Sequence, residues 1–293
     1  MGAPARPARR GSGWVRSCVV DRHPWNTSFA WADRTGPFQQ LSAEQVAQFD
    51  ELGYVVVPDL VEPSAVAAAT EDIDCLEAEV DAFLKSREDG RFSIAETGAL
   101  TIALHAVARS DAARALSRHP AVVGLCADLV GPDVRLYWDQ AVYKKTEKPR
   151  RVPWHQDNGY TYVEPQAYLT VWLALTDATE DNGCPWVAPG RHRRGTLAHH
   201  YVEPLGWECL TDVPDAVPAP VAAGGAVVFS SLTPHLTGPN LTDAVRKAYI
   251  LQYCPSAAEV LQGDPADGAP TGRVPCTAEG RQYEVLRAGA PVT

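Results

Sequence analysis

Near Val134 the chain changes texture, and that change constrains the fold more than any other feature of the sequence. Upstream the signals are helical. Ser42-Ala43-Glu44-Gln45 has the form of a capping box, and Val46, Phe49 and Leu52 then recur at helical spacing until Gly53 stops the run. Tyr54 to Val57 predicts a short buried strand. Pro63-Ser64 opens a helical pattern through about Lys85, and a second helical region runs from Asp111 to Leu129 with a break at Pro120. Downstream, Arg135 to Tyr143, Tyr168 to Leu175, Trp186 to Ala188, Ala226 to Phe229 and Lys247 to Tyr253 are short β-type runs separated by Gly, Pro, Asn and Asp turns. Helices followed by strands indicate an α+β layout, here a β-sandwich or jelly roll buttressed by helices.

With 293 residues, 45% of them hydrophobic, the chain can bury a sizeable core. The expected division is an irregular N-terminal tail over 1–40, one catalytic domain over 41–255, and a C-terminal extension over 256–293 that reads mostly as loop and packs on or near that domain. A formal net charge of −10 argues against a broad nucleic-acid or anionic-membrane footprint, so any anionic ligand must find a local basic patch; the oligomeric state is open. The cysteines, at 18, 75, 126, 184, 209, 254 and 276, are scattered and odd in number, which fits a reduced, cytoplasmic protein. Arg6, Arg9, Arg10 and Arg16 lie among Pro, Gly and Ala with no apolar signal-peptide core after them, so the first residues read as a disordered tail. The excess of Arg over Lys, with abundant Ala, fits a high-GC bacterial coding bias.

Within this frame stands Trp154-His155-Gln156-Asp157, answered far downstream by His235 in Ser230-Ser231-Leu232-Thr233-Pro234-His235 and then by Arg246. On an extended strand His155 and Asp157 point to the same side. The pair alone is cheap evidence. The weight comes from His235 in a Pro-flanked turn after an apolar run, with Arg246 opening the next run. Two imidazoles and one carboxylate can hold one face of a ferrous ion and leave three positions open for a cosubstrate and dioxygen.

Further blocks extend the pattern in order: Val171-Trp172-Leu173-Ala174-Leu175-Thr176-Asp177-Ala178-Thr179-Glu180-Asp181-Asn182-Gly183-Cys184, then Pro189-Gly190-Arg191-His192, then His235-Leu236-Thr237-Gly238-Pro239-Asn240. Together they resemble the phytanoyl-CoA dioxygenase-like branch of the Fe(II)/2-oxoglutarate oxygenases over roughly Gly53 to Tyr253. The resemblance implies a double-stranded β-helix (jelly roll, cupin-like) core. It also implies a 2-oxoglutarate-dependent dioxygenase using Fe(II) and O2, with His155, Asp157 and His235 as metal ligands. Arg246 would pair with the distal carboxylate of 2-oxoglutarate, a task suited to a permanently charged guanidinium fork. Thr237 would offer that carboxylate a hydroxyl, Gln140 would touch the cosubstrate and Trp172 would line its pocket. Many relatives in the wider superfamily carry Ser or Thr two residues after the Arg, whereas Ala248 stands here. Halogenases of the group replace the carboxylate ligand with a small residue, so Asp157 implies hydroxylation or another oxidation.

Every such residue also has a plainer reading. His23, His105, His119, His192, His199 and His200 read as surface or hydrogen-bonded histidines, although His199 and His200 compete with His235 on spacing alone. Asn182-Gly183 is a turn signal, with Gly183 supplying a positive dihedral. Tyr160 and Tyr162 line a substrate pocket or fill loop covers, and Trp186 reads as core. Lys144, Lys145, Lys148, Arg150 and Arg151 concentrate positive charge just before the ligand loop. They either steer an anionic substrate, with Lys144 in the pocket, or balance nearby acids. The leading substrate expectation is a small organic molecule such as a bacterial natural-product intermediate, with an acyl-CoA or lipid-derived acid as the alternative. A non-catalytic metal-binding jelly roll is a further alternative. A zinc hydrolase on the same ligands gives Arg246 no task and names no general base.

Overall fold

The computed structural model describes residues 21–146 and 152–292. Helix α1 (Ala43–Leu52) begins at the expected capping box: the Ser42 side chain accepts from Gln45 N, and the Gln45 side chain returns to the Ser42 backbone. It ends at Gly53, whose φ of +86° is the left-handed conformation that favours glycine. Helix α2 (Pro63–Ser86) buries Val66, Ala69, Ile73, Leu76 and Leu84, a stripe at three- and four-residue spacing. Pro120 divides the next helical region into α3 (Asp111–Ser117) and α4 (Pro120–Leu129), because proline supplies no N–H to continue a helix but suits its first turn.

The helices cover one face of an antiparallel sheet. Its central strands are β1 (Tyr54–Val57), β2 (Leu100–Leu104), β3 (Val134–Lys144), β4 (Leu169–Ala174), β7 (Ala226–Ser230) and β9 (Arg246–Pro255), in the spatial order β1-β7-β4-β9-β3-β2. A small second sheet joins β6 (Val217–Pro218), β5 (Pro185–Val187) and β8 (His235–Thr237) in the order β6-β5-β8. The expected jelly roll is present.

Strand parity sorts the apolar residues into two cores. Val171, Leu173, Val228, Tyr249 and Leu251 face the helices and pack with Ile73, Leu116 and Leu125. Trp172, Ala174, Val227, Phe229, Ala248 and Ile250 face the opposite way, toward Val187 and Ala219 of the small-sheet side. Burying each large aliphatic side chain contributes roughly 1.5–3 kcal/mol before entropy is charged against it. A period of two therefore fixes which residues reach the space between the sheets.

Several segments depart from expectation. Leu100–Leu104, unassigned from sequence, pairs with Gln140 to Lys144 of β3. The hairpin of Arg91–Phe92 and Ala95–Glu96 extends that edge. The segment after Ser256, read mostly as loop, carries β10 (Glu259–Gln262), β11 (Gly272–Pro275) and β12 (Glu284–Arg287), the last pairing with the start of β3. These strands are short and take their identity from distant partners, which local propensity does not encode.

Candidate active site

His155 and His235 meet as an antiparallel bridge: His155 N donates to His235 O at 3.1 Å, and His235 N donates to His155 O at 2.8 Å. Directly opposed residues of such a pair project their side chains to the same side. The two imidazole centroids accordingly lie 4.4 Å apart. Gln156 continues in extended conformation, so Asp157 returns to that side before opening a 3-10 turn, Asp157–Gly159. The potential ligand atoms of His155, Asp157 and His235 all lie within 4.8 Å of one another.

The donor set fits a transition-metal ion. His155 Nδ1 lies 3.2 Å from Pro153 O, and His235 Nδ1 lies 3.0 Å from Thr233 O. A carbonyl oxygen can only accept, so each Nδ1 carries the proton and each Nε2 keeps its lone pair for a metal, the outer support typical of ligating histidines. His235 Nε2 stands 3.7 Å from Asp157 Oδ1. Burial first, and then the neighbouring His235, hold His155 well below the usual imidazole range, keeping it in the neutral form a metal requires.

The residues alternating with the ligands anchor the loop. Gln156 is fully buried; its amide donates to Gly195 O and Leu232 O, and its oxygen accepts from Leu197 N. Asn158 donates to Thr196 Oγ1 at 2.7 Å and accepts from Val163 N. One loop is thereby tied to the segment that precedes His235.

A cavity of about 140 Å3 opens over the three donors. Gln140, Lys144, Tyr160, Trp172 and Thr237 all line it. Arg246 is buried beside this wall, its guanidinium 5.0 Å from the Trp172 ring centroid and donating to Val142 O at 3.2 Å. Lys144 is buried and donates to the Thr237 and Gly238 carbonyls at 3.2 and 2.7 Å. Lys145 pairs instead with Asp81 and Glu77 of α2. Lys148, Arg150 and Arg151 lie outside the described residues.

Tyr162 is a correction: it does not line this cavity. Its ring packs against His23 and Trp25, centroids 4.6 and 5.5 Å away, in a neighbouring pocket that Tyr160 also lines. His199 accepts from Gln156 N at 3.0 Å and His200 lies 3.4 Å from Glu208, so both have structural partners. Thr170, not singled out from sequence, donates to Asp157 Oδ2 at 2.5 Å. Its place two residues before Trp172 on the same strand face was the available signal. Gly183 has φ +93°, and a Cβ there would lie 2.5 Å from Gly238 O, so that turn requires glycine.

A jelly roll that gathers two imidazoles and one carboxylate beneath a cavity defines the class of proteins holding a transition metal on a 2-His-1-carboxylate face. The chain belongs to the phytanoyl-CoA dioxygenase family, whose profile, described as Phytanoyl-CoA dioxygenase (PhyH), matches residues 49–248. It is 30% identical over 173 residues to phytanoyl-CoA dioxygenase domain-containing protein 1 of Danio rerio, a match covering 55% of this chain and 60% of that protein. The chain thus spans less than two thirds of that relative's length. Among solved structures it is similar to the non-heme alpha ketoglutarate dependent carbocyclase SnoK from nogalamycin biosynthesis, with TM-score 0.66, 24% identity, and coverage of 86% of this chain and 100% of that one. It is also similar to the epimerase SnoN in complex with Fe3+, alpha ketoglutarate and nogalamycin RO, with TM-score 0.59, 25% identity, and coverage of 81% and 96%.

Proposed function

We propose that this chain is an Fe(II)- and 2-oxoglutarate-dependent dioxygenase that oxidises a C–H bond of a small organic molecule, releasing succinate and CO2. The observation that carries the reading is the convergence of His155, Asp157 and His235 under a cavity lined by Trp172, with the Arg246 guanidinium buried 5.0 Å from that ring. In the proposal these three residues hold the iron. Arg246 anchors the distal carboxylate of 2-oxoglutarate, with Thr237, Gln140 and Trp172 around the cosubstrate. When bound, iron and 2-oxo acid supply the oxidising power, one oxygen atom of O2 entering succinate and the other reaching the substrate. The protein binds, orients and excludes water, and no side chain is assigned acid-base work.

Ile94, Leu100, Ile102, Leu205, Phe229 and Ile250 make much of the remaining lining aliphatic or aromatic. Such a lining favours a carbon-rich substrate, and with the relatives named for nogalamycin biosynthesis it supports a bacterial natural-product intermediate. The acyl-CoA alternative finds little support among the described cationic residues in or next to the cavity lining: Lys144 donates to carbonyls, Lys145 pairs with α2 acids and Arg91 with Glu96 at 2.6 Å. Asp157 keeps a carboxylate where halogenation requires room for halide, which favours hydroxylation. SnoK and SnoN are described as carbocyclase and epimerase, so ring formation or epimerisation on the same fold is the second reading.

The test is a screen of neutral polycyclic and polyketide-type compounds, read out as iron-dependent succinate release. The proposal expects release that at least one compound stimulates and that His155→Ala abolishes. Full turnover in His155→Ala would exclude the assigned site.

A further inference from the structure

Asp157 has two oxygens, and the structure gives them different surroundings. Oδ1 stands 3.7 Å from His235 Nε2, facing the vertex shared by the three donors. Oδ2 accepts from Thr170 Oγ1 at 2.5 Å. Thr170 sits on β4, 1% exposed, in register between Phe229 of β7 and Gln252 of β9. A β-branched side chain on a paired central strand has little rotamer freedom, so the hydroxyl is held in place.

The geometry points to Thr170 as a positioning residue that restrains Asp157 to bind metal through one oxygen. This rests on the reading under Proposed function. A six-coordinate ion held by two imidazoles and a single carboxylate oxygen keeps three positions, enough for a bidentate 2-oxo acid and dioxygen. A carboxylate that swung to chelate through both oxygens would fill one of them. The hydrogen bond from Thr170 occupies Oδ2 and opposes that rotation, as outer-sphere donors to metal-bound carboxylates do. Valine has the same shape without the donor, and serine keeps the donor without the methyl group.

The experiment uses the full chain loaded anaerobically with Co(II), so that neither turnover nor a known substrate is needed. Visible d–d spectra are recorded for wild type, Thr170→Val and Thr170→Ser, and 2-oxoglutarate is then titrated by calorimetry. The inference expects Thr170→Val to retain Co(II) but show shifted d–d bands and a Kd for 2-oxoglutarate raised by about tenfold or more. Thr170→Ser should restore both. Thr170→Ala, which also lacks the donor but adds no bulk, should reproduce the shift if the valine variant does not fold. Wild-type bands and 2-oxoglutarate affinity in either donorless variant would overturn the inference while leaving the functional reading intact. A wild-type protein that takes up no Co(II) would overturn the functional reading itself.

Discussion

In the ligand loop the labour divides by parity. His155 and Asp157 face the cavity, while Gln156 and Asn158 turn the other way and bond the loop to residues 163, 195–197 and 232. The metal-facing side chains therefore depend on neighbours that never touch the ion. Replacing Gln156 with Leu leaves Leu197 N, Gly195 O and Leu232 O without that partner; buried groups stranded this way cost about 1–3 kcal/mol each. A matching fall in denaturant midpoint, together with weaker metal retention on dialysis, is the expected outcome. For Arg246→Leu the Kd for 2-oxoglutarate should rise on the order of 10²-fold, since a charge-assisted hydrogen bond to a carboxylate contributes about 1.5–3 kcal/mol; calorimetry on metal-loaded protein measures it. His155, Asp157 and His235, which the structure brings together, were marked in advance by the Pro234 turn, the following Arg246 and the resemblance rather than by spacing alone. Tyr162 could not be placed, since the 3-10 turn at Asp157–Gly159 breaks the alternation that spacing assumes. Thr170 escaped notice because a threonine in a strand is ordinary until its partner is known.

Among the elements, α1 and β1 illustrate how local signals reach the site. The helix stops at Gly53, and the Gly53 carbonyl accepts from Ser230 N and Thr233 Oγ1, just before His235. A Cβ on Gly53 would lie 2.5 Å from His192 Nδ1 and 2.6 Å from Thr233 Oγ1, at φ +86°. Gly53→Ala should therefore cost more than the roughly 1 kcal/mol of left-handed strain alone, and lower Tm in a thermal melt. Strong caps and long periodic stripes made α1 to α4 readable from sequence. The hairpins at Arg91–Glu96 and His200–Glu208 were not readable, although Ile94 of one and Leu205 of the other line the cavity. Their strands are two or three residues long, and turn composition alone does not say which way a tip folds.

For the whole molecule, the sheet separates a helix-facing core from a site-facing one, so the cavity is carved from a layer that hydrophobic packing already holds rigid. His192 belongs to this frame: it is fully buried, its Nε2 donates to Asp50 O at 3.1 Å, and burial lowers its pKa to about 4. A folded pKa below the unfolded value of about 6.5 means the unfolded chain binds the proton first as pH falls. The contribution is present above pH 6.5 and drains away toward pH 4, with an upper size of about 3 kcal/mol. Urea midpoints measured across that window should drop with acidification, and His192→Gln should flatten the slope; an unchanged slope would remove His192 from the cause. The α+β class was readable from the change of texture at Val134, which left a β-sandwich or a jelly roll open, and the resemblance of the ligand blocks pointed to the jelly roll. The tail strands were not readable, because β12 takes its place from distant partners, pairing with the start of β3 and burying Val285 and Leu286 in the helix-facing core. No helix among the described residues is long and apolar enough to cross a membrane.

The most direct measurement is an anaerobic titration of the purified protein with Fe(II) followed by 2-oxoglutarate, monitored in the visible region. A bidentate 2-oxo acid on a ferrous ion held by His155, Asp157 and His235 should give a weak charge-transfer band that saturates at one equivalent and is absent in His235→Ala. A wild-type spectrum that stays flat while both components are present in excess would contradict the assignment of these three residues as the iron site.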